Sequence, residues 1–181
     1  NTAADASGSD ASGLSGHDLI LQNGDYMDLG ADVTCDSLKT EAGSHLTGNT
    51  SYTITCAERD GSNYSVNLDG TLDSDNTLNL TVTHGGSNNL DINPETANYI
   101  RNLTINHADT SVTSQADMTI KGNFTITAGA INTGSNYALT VTGHIDLTGT
   151  LTGNASAIST GTMTLRDTST LTSTGTITVT G

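Results

Sequence analysis

Leu80-Thr81-Val82, Leu103-Thr104-Ile105 and Phe124-Thr125-Ile126 stand 23 and 21 residues apart, and the same apolar-Thr-apolar triplet runs on in both directions. Upstream lie Val33-Thr34-Cys35 and Ile54-Thr55-Cys56; downstream lies Met163-Thr164-Leu165, with Ile145-Asp146-Leu147 filling the one gap. The successive spacings are 21, 26, 23, 21, 21 and 18 residues. An internal period of this length marks a solenoid and is close to one turn of a three-sided parallel β-helix. Side chains alternate along a strand, so the outer members of each triplet turn inward and the central Thr outward. The register then predicts Val33 under Ile54, Leu80 under Leu103, and Leu103 under Phe124.

Between triplets, Ile131, Leu139-Thr140-Val141, Leu151 and Leu171 fill the further faces. Gly-rich joints at Gly85-Gly86-Ser87-Asn88, Gly134-Ser135-Asn136 and Gly153-Asn154 read as turns that need positive φ. The longest spacing contains Asp69-Gly70-Thr71-Leu72-Asp73-Ser74-Asp75-Asn76, read as an insertion loop at one corner. Asn1 to Gly16 is a low-complexity Ala/Ser/Gly/Asp stretch with too little apolar area to order itself, expected to be a flexible linker or docking arm. Residues 17–32 read as an irregular first coil or cap of a solenoid domain spanning 17–181. About seven coils at roughly 4.8 Å each make a body about 35 Å long. The expected fold is all-β, a parallel solenoid; a β-sandwich or jelly roll is the alternative, since both also use short alternating strands.

Composition agrees. Ser and Thr make up more than a quarter of the 181 residues, Trp is absent, and Phe124 and Pro94 are the only residues of their kinds. No compact core of large side chains can be built from this, whereas coil-on-coil stacking accumulates stability between neighbours. The formal charge of −14 sets nineteen acids against Lys39, Arg59, Arg101, Lys121 and Arg166. Phosphate backbones and anionic bilayers are repelled by such a chain, so nucleic-acid and membrane-surface roles are not expected. No apolar stretch approaches the roughly 20 residues needed to span a bilayer. No signal peptide precedes Asn1, and the pattern runs to Gly181 without a capping segment, so the chain reads as processed or as part of something longer. An open end implies covering by a partner; a homo-oligomer or filament is expected rather than a free monomer.

The segment from about Leu103 to Gly181 resembles the right-handed parallel β-helices of bacterial surface adhesins and of phage appendages, including tail fibres, tailspike stalks and capsid-attached fibres. Two runs carry the resemblance, Gly122-Asn123-Phe124-Thr125-Ile126-Thr127-Ala128-Gly129 and the longer run from Ala138 to Asn154 (ALTVTGHIDLTGTLTGN). It implies an exterior, repetitive structural part and names no catalytic residue. The resulting expectation is a non-enzymatic extracellular module of a virion or cell-surface appendage: a fibre, stalk or capsid decoration, with other structural proteins of the particle and surface polysaccharide as its partners. A carbohydrate-binding or carbohydrate-cleaving β-helix is the alternative.

Candidate sites are few. Asp69, Asp73 and Asp75, with Asn67 and Asn76, offer the hard oxygens that Ca²⁺ takes at loops, although the order matches neither an EF-hand nor the calcium nonapeptide; a solvated acidic loop is the simpler reading. His84 and His107 each follow a triplet by two residues and so stack on adjacent coils, where two imidazoles could share a transition metal, but the next coil carries Ala128. No other cofactor is expected. Cys35 and Cys56 occupy equivalent triplet positions, which allows either a disulfide or a buried stack of small hydrophobes. Glycan cleavage needs two carboxylates about 5 to 9 Å apart beside a groove that grips sugar; Trp is absent, only five Tyr are available, and no nucleophile motif is present. Thr-x-Thr repeats also resemble the face of some ice-binding β-solenoids, although uneven spacing would break a flat lattice match. Six sequons, at Asn49, Asn63, Asn79, Asn102, Asn123 and Asn154, barely exceed the roughly five that chance supplies at this Ser/Thr content.

Overall fold

The computed structural model describes residues 14–48, 51–58, 63–72, 77–92 and 99–181. They form a parallel β-solenoid of about seven turns without a helix, and every strand pairing among them is parallel. A sandwich or jelly roll is excluded by that pairing alone, because both are built from antiparallel neighbours.

Each turn visits three faces in the same order. The first face carries β1 (Leu19–Leu21), β4 (Leu38–Thr40), β7 (Tyr64–Leu68), β10 (Gly86–Ile92), the second halves of β11 (Asn102–Ser114) and β13 (Phe124–Asn132), β15 (Thr150–Asn154) and β17 (Thr170–Ser173). The second position in the turn is taken by β2 (Tyr26–Asp28), β5 (His45–Thr47) and β8 (Thr71–Leu72). Farther along it is taken by β12 (Met118–Ile120), the first halves of β14 (Leu139–Leu147) and β16 (Ile158–Leu165), and β18 (Ile177–Val179). The third face carries the triplets: β3 (Val33–Cys35), β6 (Thr53–Cys56), β9 (Asn79–Val82), the first halves of β11 and β13, and the second halves of β14 and β16.

The triplet register holds along the whole third face, with Val33, Ile54, Leu80, Leu103, Phe124, Ile145 and Met163 stacked in one interior column. Outside it, Thr34, Thr55, Thr81, Thr104, Thr125, Asp146 and Thr164 form the matching outer column. Ile131, Leu151 and Leu171 stack on the first face; Leu139, Ile158 and Ile177 stack on the second. No large core is needed, because each inward side chain is covered by the equivalent residue above and below.

The corners absorb the uneven spacing. β11 and β13 bend from the third face into the first without a break, and their pairing slips between Ile105 and Ser111, where Asn106 to Asp109 are exposed. At another corner Gly122, Gly143, Gly161 and Gly181 stack, the Gly143 and Gly181 amides donating to the Gly122 and Gly161 carbonyls at 2.9 Å. A Cβ on Gly143 would meet the Gly122 carbonyl oxygen at 2.5 Å, and one on Gly161 the Gly143 oxygen at 2.7 Å, so these two positions admit only glycine. Positive φ falls where the joints suggested, at Gly86 (+90°), Gly134 (+63°), Asn136 (+72°) and Asn154 (+48°).

Two details of the sequence reading need correction. Gly86-Ser87-Asn88 is the start of β10, paired with Thr110 to Val112, and only Gly85 lies outside it. Thr71–Leu72, read as part of an insertion loop, is a rung whose Leu72 stacks on buried Leu46, because a single large apolar residue in register is enough to extend a column. Residues 73–76 lie outside the described set, as do 1–13 of the expected arm. Leu14 packs against the core, and the segment expected to be irregular holds β1 and β2, each paired in register.

Candidate functional site

From about Asn102 onward the outer columns of the rod are built mainly from small hydroxyl and amide side chains. Thr119, Thr140, Ser159 and Thr178 line the second face; Thr113, Asn132, Thr152 and Thr172 line the first. Hence no single face is set apart as a threonine lattice. The uneven spacing that counted against such a lattice is taken up at corners, and it is Asp146 that interrupts the third-face column. Arg166 clasps Asp146 through Nε (2.8 Å) and Nη2 (2.6 Å), and that contact holds the Asp146 carboxyl below the usual carboxylate range.

Beside the Thr column runs an amide ladder that the sequence reading counted only as sequons. Asn79 Nδ2 donates to the Ser51 carbonyl (2.7 Å), Asn102 Nδ2 to Asn79 Oδ1 (2.7 Å), the Asn123 amide to Asn102 Oδ1 (2.7 Å), and the His144 amide to Asn123 Oδ1 (3.1 Å). Asn154 Nδ2 likewise donates to Asn132 Oδ1 (2.6 Å). The nitrogens a glycan would need on Asn79, Asn102 and Asn154 are already spent between coils. The signal in the sequence was their recurrence at a fixed place, one residue before each triplet at Asn79, Asn102 and Asn123.

Of the proposed calcium ligands, Asp73 and Asp75 lie outside the described residues. Asp69 is exposed, and the group its charge reaches is Asp91, whose carboxyl is raised first by burial and then by Asp69. Asp91 stands in register above Asn67, and Asp91 Oδ1 and Asn67 Oδ1 are each a buried acceptor without a hydrogen-bond partner. The interior holds further polar atoms without a partner. A bulge opposite Asn89 and Leu90 leaves both Ser65 and Val66 buried, and neither Ser65 Oγ nor the amide atoms of the inward Asn88 find a partner.

Each imidazole of the expected His84–His107 pair is engaged elsewhere. His84 Nδ1 is 3.0 Å from Glu58 Oε2, one coil back. The His107 ring lies over Gly85, 2.9 Å from where a Cβ would be, and its Nδ1 accepts the Asp109 amide at 3.2 Å. Among the described residues no three His, Cys, Asp or Glu side chains converge to hold a metal ion. Cys35 and Cys56 face each other in register as free, buried thiols. Their mutual hydrogen bond, with burial, pushes the Cys56 thiol well above its ordinary value, which disfavours the Cys56 thiolate that nucleophilic work needs. No helix among the described residues is long and apolar enough to cross a membrane.

The exposed ring of the lower coils is Tyr26, stacked flat on His45 (centroids 4.6 Å apart, planes 6° apart). Elsewhere Lys121 Nζ lies 4.4 Å from the Tyr99 ring centroid.

The two ends differ most. At the N-terminal end the inward residues Leu19, Leu21, Met27, Leu29 and Val33 are 1–3% exposed; at the C-terminal end Leu165, Ile177 and Val179 are 52%, 37% and 50% exposed. No family model, curated protein or solved structure matches the chain.

Proposed function

We infer that the chain is a non-enzymatic structural module of the outside of a virion or a cell-surface appendage, a stalk, fibre or capsid decoration. One observation carries this reading. Seven stacked triplets hold one register from Val33 to Met163, and their outer positions repeat threonine six times, with Asp146 in the remaining place, instead of converging on a reactive cluster. Such a build supplies length and a uniform, well-hydrated surface. The resemblance of the segment from Leu103 onward to appendage and adhesin β-helices points the same way.

Tyr26 supports a second reading, binding of surface polysaccharide, because a flat, exposed ring held rigid by His45 is the kind of platform on which sugars stack. Gold-labelled antibody against the chain, applied to intact particles and cells, is expected to decorate their exterior. Labelling only after lysis would overturn the exterior assignment. Incubation with surface polysaccharides should leave them uncut, and a release of shorter glycans would replace the structural reading with an enzymatic one.

A further inference from the structure

We propose that Cys35 and Cys56 are joined by a disulfide that links the β3 rung to the β6 rung, made while the coils close and sealed in once they have closed. The inward column to which they belong runs Cys35, Cys56, Val82, Ile105, Ile126, Leu147 and Leu165. Aliphatic side chains fill five of its seven rungs, and the only two cysteines of the chain fill the other two, next to each other. Strand neighbours lie about 4.8 Å apart in the hydrogen-bonding direction, and a disulfide spans Cα separations of about 4.4–6.8 Å. Their shared register therefore puts the two within bonding reach without moving either backbone. The thiols already meet as hydrogen-bond partners, and both residues are 0% exposed.

Burial decides when the bond forms. In the closed rod Val82 covers Cys56 from the next rung, and no dissolved oxidant touches either sulfur. The attacking species is the thiolate, which is also disfavoured at Cys56 there. An unclosed chain has neither obstacle. The oxidant is a small disulfide such as oxidised glutathione, and the exchange takes two steps. One cysteine thiolate attacks a glutathione sulfur, so that an S–S bond forms to the chain and one glutathione leaves as thiolate. The second cysteine thiolate attacks the chain sulfur of that mixed disulfide, closing the Cys35–Cys56 bond and expelling the other glutathione. Two chain thiols are oxidised, one glutathione disulfide is reduced, and the two thiol protons end on the departing glutathiones. Closure of the coils then hides the bond from reductants as it would hide the thiols from oxidants, so the rod keeps the redox state in which it folded. The bond also ties off the turn from Cys35 to Cys56 in the unfolded chain, and such a cross-link stabilises chiefly by restricting the unfolded ensemble.

The exterior reading supplies surroundings in which disulfides persist, but the bond is tested in a defined redox buffer, so either can fail alone. The 181-residue chain, reduced and unfolded in urea, is diluted into mixed oxidised and reduced glutathione, then denatured with a thiol-alkylating reagent and weighed by mass spectrometry. The expected product is a single chain two hydrogens lighter than the reduced one, carrying no alkyl group, whose unreduced digest joins the Cys35 and Cys56 peptides. Its urea midpoint should lie above that of the reduced chain. Chain folded under reductant and then moved to the same buffer should keep both thiols over the time in which unfolded chain is oxidised. Cys35→Val/Cys56→Val, which gives both rungs the residue type of Val82, should show one midpoint in oxidising and reducing buffers alike. Two alkylated thiols, glutathione adducts or chain-to-chain disulfides after oxidative refolding would overturn the proposal, and so would a cross-linked chain whose midpoint is no higher than the reduced one. Oxidation of folded chain as fast as unfolded chain would overturn the order of events it requires.

Discussion

The first hundred residues and the remaining eighty-one are built on the same three faces, yet they carry net charges of −13 and −1. They differ in regularity as well. The triplet spacings reach 26 and 23 residues in the first part and settle to 21, 21 and 18 in the second, where the glycine column keeps one corner constant. The first part closes its end over Leu19, Leu21 and Met27; the second leaves Leu165 and Val179 open. Coil stacking is indifferent to most of what the outer positions and corners carry, so charge and corner geometry can differ between two parts of one rod.

The sharpest way to break this comparison is to remove a rung with neighbours on both sides. Phe124 is completely buried between Leu103 and Ile145, so Phe124→Ala is expected to lower stability by about 3–5 kcal/mol. Ile177 is paired with Ile158 alone and is 37% exposed, and Ile177→Ala should cost about 1 kcal/mol or less. Urea midpoints of the two variants check this. Equal losses would mean that the open end is covered even in the isolated chain.

The amide ladder gives a smaller effect. Asn102 both donates to Asn79 Oδ1 and accepts the Asn123 amide, so Asn102→Ala strands two groups and should cost about 1–3 kcal/mol. Asn102→Asp keeps the acceptor, loses the donor, and should fall between. An unchanged midpoint in both variants would show that the ladder contributes nothing.

These residues also mark where the sequence was legible and where it was not. The third-face column from Val33 to Met163 could be read directly, because a period-2 strand fixes which side chains turn inward and a recurring triplet fixes which stack. Thr71–Leu72 was missed because a two-residue rung has no alternation to recognise. Asn88 was missed because Gly85-Gly86-Ser87 looks like a turn, and nothing local says that a polar amide will point into the interior. The contact of His84 with Glu58 depends on a corner 26 residues earlier, where spacing alone sets no side-chain direction. The Asn79, Asn102 and Asn123 recurrence was visible, and only the glycosylation motif drew attention away from it.

The smallest effect lies in the acidic half, where the ladder chemistry is inverted. Asn67 Oδ1 and Asp91 Oδ1 meet one rung apart as two acceptors, whereas Asn102 and Asn79 meet as donor and acceptor. Asp91→Asn supplies the missing donor and removes a charge that burial and Asp69 both disfavour. The sign with pH follows from the raised carboxyl. The unfolded chain releases this proton near its ordinary value of about 3.9, while the folded chain holds it to higher pH. Native stability therefore falls as pH rises between the two values and stays lower above them. At pH 7 the Asp91→Asn variant should be the more stable, by less than about 1 kcal/mol once solvent screening is allowed for. Below about pH 3 the gain should vanish, because Asp91 is then protonated in both states and its own hydroxyl can donate to Asn67. Urea titrations of both proteins at the two pH values decide the matter. A variant less stable at pH 7, or a gain that persists unchanged in acid, would mean that the two oxygens are not the frustrated rung their register implies.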